Sequence, residues 1–221
     1  MTRLIVVRHG RSTANDAGVF SCMRDVALSP IGEQQAVFVA KYLAQNERIG
    51  RIYASGMKRT AQTAMPTAEH FHLPVETECG LREIFAGLWE GLPYKELNRR
   101  FHADWMNWLY DFSNARCTEG ESVRELYRRI CNTVRRIAEE NDGKTVMLTT
   151  HYTPLRIIAA WGMGLSPEQL HLSPPSTNAS ISIFHYEDGI LQTELSNLIP
   201  YPDALLSTNA HPFPPKLPKK A

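Results

Sequence analysis

Two rhythms of apolar residues alternate along this chain. Leu4, Ile5, Val6 and Val7 form an unbroken β-prone run, the pattern of an interior strand covered on both faces. The stretch from Ser12 to Leu28 has no such rhythm and is expected to be irregular. Ser29-Pro30 then reads as an N-cap followed by proline at the first helical position. The helix after it places Ala36, Val39, Ala40 and Leu43 on one face. A short strand over Arg51 to Ala54, a helix from near Lys58 and a strand over Val75 to Glu78 continue the alternation, which points to an α/β sheet.

Pro93 to Phe112 is helical in character and crowded with aromatics, Phe101, Trp105, Trp108, Tyr110 and Phe112 among them. It reads as a helical insertion lying over the sheet. Val123, Leu126, Ile130, Val134 and Ile137 recur at helical spacing until Asn141-Asp142-Gly143 breaks the pattern. The strand Thr145 to Thr150 follows, then a helix from about Pro154 to Trp161. Strands over Ser180 to Tyr186 and Ile190 to Glu194 are joined at Glu187-Asp188-Gly189. From Pro200 onward, repeated prolines and lysines predict a tail with little structure of its own.

Composition narrows the classes of function. A length of 221 residues with 43% hydrophobic and 21% charged content fits one globular domain. A net charge of +1 argues against a general nucleic-acid or membrane-surface role, so anion specificity has to be local. Cys22, Cys79, Cys117 and Cys131 form no CxxC pair and have no metal-ligand spacing, so reduced thiols in a cytoplasmic protein are expected. No apolar run approaches a membrane span, and the start of the chain is too polar for a signal-peptide core.

The chemistry gathers at strand ends. His9 closes the first apolar strand and His151 closes the strand Thr145 to Thr150. In a parallel sheet such ends lie along one edge, where open α/β folds bind ligands. Arg8 stands beside the first histidine and Gly10 follows it. His70 and His72, two apart with no third ligand candidate nearby, are expected at the surface.

Arg8-His9-Gly10, with Asn15 six residues after the histidine, resembles the histidine phosphatase superfamily, also called the phosphoglycerate-mutase-like family. Ala27 to Ala36 is similar to its helix-entry segment, and Ser55-Gly56-Met57-Lys58-Arg59-Thr60-Ala61-Gln62-Thr63-Ala64 to its Ser-x-Leu-x-Arg-Ala-x-x-Thr-Ala segment. Leu81-Arg82-Glu83-Ile84, Gly87-Leu88-Trp89-Glu90-Gly91 and Gly120-Glu121-Ser122 resemble three further family segments in the right order. The ordered set covers roughly residues 3 to 200.

The resemblance implies an α/β fold, a three-layer α/β/α sandwich with a mainly parallel central sheet and a helical insertion, at about 84–120, over the active site. Residues 1–200 form the domain and 201–221 the proline-rich tail. It also implies a phosphomonoester hydrolase, a phosphatase of the histidine acid type, acting on a small-molecule phosphate ester through a phosphohistidine. His9 is the expected nucleophile, Arg8 and Arg59 hold phosphoryl oxygens with paired N–H donors, His151 donates to the transferring group, and Glu83 is acid and then base. Asn15, Ser12 and Ser21 are candidate phosphate or loop contacts. No cofactor, metal, nucleic acid or membrane is expected, and a homodimer is allowed.

Other readings stay open. A phosphoglycerate mutase shares these motifs, though the segment between Glu83 and His151 is short for one, and Arg99-Arg100 decorates a helix surface more readily than it holds a second acidic group. A third reading is a phosphate-binding module that has lost turnover. Gly87 to Gly91 also resembles the α-ribazole phosphatase branch. The chain departs from the family pattern at Tyr152, where glycine is common, and at Arg11, where an acidic residue is frequent. Tyr152 is expected at the substrate, and Arg11 either at the pocket mouth or in solvent.

Overall fold

A computed structural model of the chain describes residues 1–206. Its six-stranded sheet comprises β1 (Thr2–Arg8), β2 (Arg51–Ala54), β3 (Val75–Thr77), β4 (Thr145–Thr150), β5 (Ile181–Glu187) and β6 (Ile190–Leu198) in the order β3-β2-β4-β1-β5-β6. The first four run parallel, and β5 pairs antiparallel with both β1 and β6. The helices are α1 (Thr13–Ala17), α2 (Pro30–Asn46), α3 (Lys58–Phe71), α4 (Tyr94–Arg100), α5 (His102–Tyr110), α6 (Val123–Glu140) and α7 (Tyr152–Gly162).

Three layers follow from the period of two in β1. Leu4 and Val6 point to a core completed by Leu126, Ile130 and Val134 of α6 and Leu155 and Ile158 of α7. Ile5 and Val7 point the other way, to Val39 and Leu43 of α2 and Ala64 and Ala68 of α3. All four residues are 0% exposed, which is why the run is continuous rather than alternating. Burying four such side chains contributes on the order of 1.5–3 kcal/mol each before conformational entropy is set against it.

The expected α2 forms as read: the Ser29 hydroxyl accepts from the Gly32 N–H, and Ala36, Val39, Ala40 and Leu43 are its buried face. The strand and helix at 51–54 and 58–71 also match. Three local readings are refined. The stretch after His9 contains the one-turn helix α1, because Ser12 and Asn15 cap each other reciprocally. The aromatic segment, read only as helical, divides into two helices that meet at Phe101. Helix α7 begins at Tyr152, before Pro154, with His151 itself as the N-cap.

Gly10 and Gly32 explain why two distant motifs belong together. A Cβ on Gly10 would lie 2.6 Å from the Gly32 carbonyl oxygen, and one on Gly32 would lie 2.0 Å from that of Arg11. The loop after β1 therefore packs backbone to backbone on the first turn of α2, and Ser29 donates to the Arg11 carbonyl through both N–H and Oγ, at 2.8 and 3.1 Å.

The residues that open the expected tail are packed on the domain as far as they are described. The Tyr201 hydroxyl donates to the Asn178 carbonyl, and Gln35 of α2 donates to that of Leu205 at 2.9 Å. The rest of the tail, 207–221, lies outside the described residues. The four cysteines are free, and His70 and His72 are exposed, as expected. Among the described residues no helix is long and apolar enough to cross a membrane.

Candidate active site

The parallel pairing of β1 and β4 sets Arg8 opposite Thr150, and the His9 N–H donates to the Thr150 carbonyl at 2.9 Å. One residue further, the two histidines leave the sheet together. Their ring centroids are 5.2 Å apart with the planes at 61°. Both line a single pocket with Arg8, Ser12, Asn15, Ser21, Glu83 and Tyr152. Phe20 and, from the helical insertion, Tyr94 and Trp108 complete its apolar wall, so the insertion does lie over the strand ends.

His9 is oriented by its own loop. Its Nδ1 lies 2.8 Å from the Gly10 carbonyl oxygen. A carbonyl only accepts, so Nδ1 carries the proton and the neutral ring has its lone pair at Nε2. The Asn178 side chain donates to the His9 carbonyl at 3.0 Å and tightens the same turn. His151 is fully buried, and burial, followed by the charges of Arg59, His9 and Arg8, holds it well below the ordinary histidine value.

Arg8 is 3% exposed. It donates to the Ser176 carbonyl at 2.6 Å and its guanidinium carbon lies 4.9 Å from the centre of the Tyr152 ring, while its Nε has no protein partner. No carboxylate lies within ion-pair distance of it among the described residues. Burial pulls its pKa down from the usual arginine value.

Arg59, the second expected phosphate clamp, is held by backbone carbonyls of the pocket wall. Its guanidinium donates to the carbonyls of Arg24 and of the pocket residue Cys22, at 2.9 and 2.7 Å. The reason is the loop after α1, whose carbonyls turn inward because its amides are already taken. Those of Cys22 and Met23 donate to the Glu90 carboxylate at 2.9–3.2 Å. Arg59 and Glu90 thus grip opposite sides of one pocket wall.

Glu83 is 8% exposed, and its carboxylate accepts from the backbone N–H groups of Ile84, at 2.8 Å, and Thr153, at 3.1 Å. The second bond caps the N-terminus of α7. Burial pushes its pKa up, against the opposite pull of these two bonds and of Arg59. Its loop is tied down by Arg129 of α6, which donates to the carbonyls of Gly80, Arg82 and Glu83 and pairs with Glu121 at 2.7 Å.

The weaker candidates separate. Ser12 and Asn15 line the pocket but are engaged with each other: the Asn15 side-chain oxygen accepts from the Ser12 N–H and Oγ, both at 3.0 Å. The Ser21 hydroxyl is buried at the pocket without a protein partner. Tyr152 stands at the pocket with Arg8 on one side and the buried Arg156 on the other, 5.8 Å from its ring centre. Arg11 is at neither the pocket nor free solvent. It pairs with Asp16 of α1. Arg99 pairs with Glu96 on the exposed face of α4, and Arg100 is exposed.

Sequence reasoning passed over Ser55, Thr153, Ser176 and Asn178. Ser55 stands in the quoted segment before Arg59. Ser176 and Asn178 precede β5, and the start of an antiparallel neighbour necessarily meets the carboxyl ends of its parallel partners. Their signal was topological.

Comparison with known proteins gives the family. The family model of the histidine phosphatase superfamily (branch 1) matches residues 4–198. Phosphoserine phosphatase 1 of Hydrogenobacter thermophilus is 30% identical over 188 residues, 85% of this chain and 88% of the relative. Phosphoglycerate mutase-like protein 4 of Arabidopsis thaliana is 30% identical over 195 residues, covering 84% and 80%. A crystal structure of phosphoserine phosphatase from Entamoeba histolytica, in complex with 3-phosphoglyceric acid, superposes with a TM-score of 0.79 at 26% identity, over 93% of this chain and 100% of that one. The chain belongs to the histidine phosphatase superfamily.

Proposed function

We propose that this protein is a phosphomonoester hydrolase that works through a phosphohistidine on His9. The observation that carries the reading is the pair of histidine rings at the ends of two adjacent parallel strands, with Arg8 buried beside them without a carboxylate. A phosphoryl group supplies the missing negative charge. His9 Nε2 attacks phosphorus in line with the leaving oxygen, and the P–O bond breaks as the N–P bond forms. Positive charge then spreads to Nδ1, where the bond to the Gly10 carbonyl strengthens.

Glu83 protonates the leaving oxygen and afterwards takes a proton from the water that attacks the phosphohistidine. A carboxyl raised by burial suits the first role, because it holds its proton at a higher pH than a free glutamate. Arg8 and His151 steady the phosphoryl oxygens, and Ser21 is placed to donate to one. Arg59 acts on the wall: it holds the Cys22 and Arg24 carbonyls, and its charge reaches the pocket through a low-dielectric interior. The Ser12–Asn15 pair holds the loop, and Tyr152 restricts the space beside Arg8.

Hydrolysis is favoured over a mutase because the insertion faces the pocket with Tyr94 and Trp108, whereas Arg99 is spent on Glu96. A mutase has to hold a second acidic group there. The relatives support a small phosphorylated metabolite as substrate, and phosphoserine is the first to try. None of the relatives named above carries the acid-type designation, so the proposal is a phosphatase without it.

Labelled substrate tests the mechanism directly. The wild-type enzyme should give an alkali-stable, acid-labile phosphoenzyme and release the label to water. His9→Ala should give neither. Label passing to a second hydroxyl of the substrate would make it a mutase.

A further inference from the structure

The buried hydroxyls behind His151 form a chain whose direction can be read. Thr60 Oγ1 lies 2.7 Å from the Met57 carbonyl oxygen, which only accepts, so Thr60 spends its single proton there. Ser55 Oγ lies 3.0 Å from Thr60 Oγ1 and must therefore be the donor of that bond. With its own proton spent, Ser55 Oγ accepts at the third contact, 2.8 Å from His151 Nε2. The neutral His151 ring therefore carries its proton at Nε2. Its lone pair is at Nδ1, which is buried and has no protein partner, and Ser55, Thr60 and His151 are all 0% exposed.

His151 lines the phosphate pocket while Ser55 does not. A lone pair facing an oxyanion repels it, because both are acceptors. We propose that Ser55 and Thr60 fix His151 in the tautomer that cannot donate to an anion, so that an oxyanion binds only as Nδ1 takes up one proton from solvent. This rests on the phosphate-pocket reading above and adds a proton requirement to it.

The charges around the ring agree. Arg8 and His9 from the end of β1, Arg59 from α3 and Arg129 from α6 all oppose protonation while the pocket is empty, leaving Glu83 as the neighbouring carboxyl. A bound dianion reverses that balance. The new N–H then points at the transferring group, and Ser55 still accepts from Nε2. In this account Ser55 and Thr60 are positioning residues.

Tungstate, a dianion with no titratable proton near neutrality, is the probe. Calorimetric titration in buffers of different ionisation enthalpy should find about one proton taken up per tungstate near neutral pH, with affinity falling about tenfold per pH unit. Thr60→Val keeps the shape of the side chain but cannot accept from Ser55. Ser55 then donates to His151 Nε2, the ring becomes Nδ1–H, and proton uptake should fall close to zero. Ser55→Ala should also lower it. Nitrogen-15 spectra of the free wild-type enzyme give a reading that needs no variant, with His151 expected as the Nε2–H tautomer.

Tungstate binding without proton uptake, a free His151 protonated at Nδ1, or full uptake in a folded Thr60→Val would overturn the tautomer proposal and leave the phosphatase reading standing. Absence of tungstate binding to the wild type would overturn the phosphate pocket itself.

Discussion

Strand β1 carries an arginine near each end, and the fold treats them in opposite ways. Arg3 meets Glu194, Glu47 at 3.0 Å and the His185 ring, and the two carboxylates, Glu194 first, push its pKa up. Arg8, five residues on, is more deeply buried, has one carbonyl acceptor and no carboxylate, and its pKa is pulled down by burial. At the end of β1 away from the pocket the charge is neutralised in place. At the pocket end the buried charge has no carboxylate partner, and this difference separates the two ends of the strand.

Replacing each arginine breaks the comparison most sharply. Arg8→Met should lower turnover of an aryl phosphate by about 10²–10³-fold, the scale of losing one preorganised charge donor, without loss of folding stability, since an unpaired buried charge is removed. It should also abolish the stabilisation by inorganic phosphate, which in wild type reaches about 2.7 kcal/mol at a hundredfold excess over the dissociation constant. Arg3→Met should do the reverse, costing roughly 1–3 kcal/mol in urea unfolding with turnover unchanged. Equal effects of both changes on stability would end the distinction.

Next in size is Glu83→Gln. Turnover of an alkyl phosphate should drop by about 10²-fold or more, and that of an aryl phosphate, whose leaving oxygen needs little protonation, by less. In wild type, alkyl-phosphate turnover should fall as pH rises through the raised Glu83 pKa, because the acid form is then lost. An identical loss on both substrates would argue against Glu83 as the proton donor.

His151 makes a smaller, opposite contribution to stability. Its folded pKa lies below the unfolded 6.5, so the unfolded chain binds the extra proton. Folding stability should therefore decline as pH falls below that value, and His151→Gln should flatten the decline in urea midpoints measured across it. The smallest effect belongs to Arg11→Ala. Its partner Asp16 is partly exposed, so stability should change by less than about 1 kcal/mol and turnover hardly at all.

Much of this was legible before any coordinates. The apolar run of β1 marked a strand buried on both sides, and His9 and His151 marked two strand ends. What escaped was what depends on partners distant in sequence. The carbonyls of Arg24 and Cys22 that hold Arg59 lie 35 and 37 residues from it. For Arg11 the sequence left the pocket mouth and solvent both open, and α1 supplies Asp16 as its partner. Ser21 has a buried unpartnered hydroxyl at the pocket, since local sequence says nothing about which polar atoms a pocket leaves unsatisfied.

The sequence by itself determined the alternation of strands and helices and the residue types available for chemistry, because hydrophobic period and capping residues act over a few residues, and the ordered motifs carried the resemblance that implied the three layers. Only the tertiary structure decided which groups hold Arg8 and Arg59, which carbonyl orients the His9 ring, and that Glu83 is raised rather than free. Those properties come from burial and from hydrogen bonds between segments far apart in sequence, 96 residues between Ser55 and His151 and 168 between Arg8 and Ser176, and no local pattern encodes them.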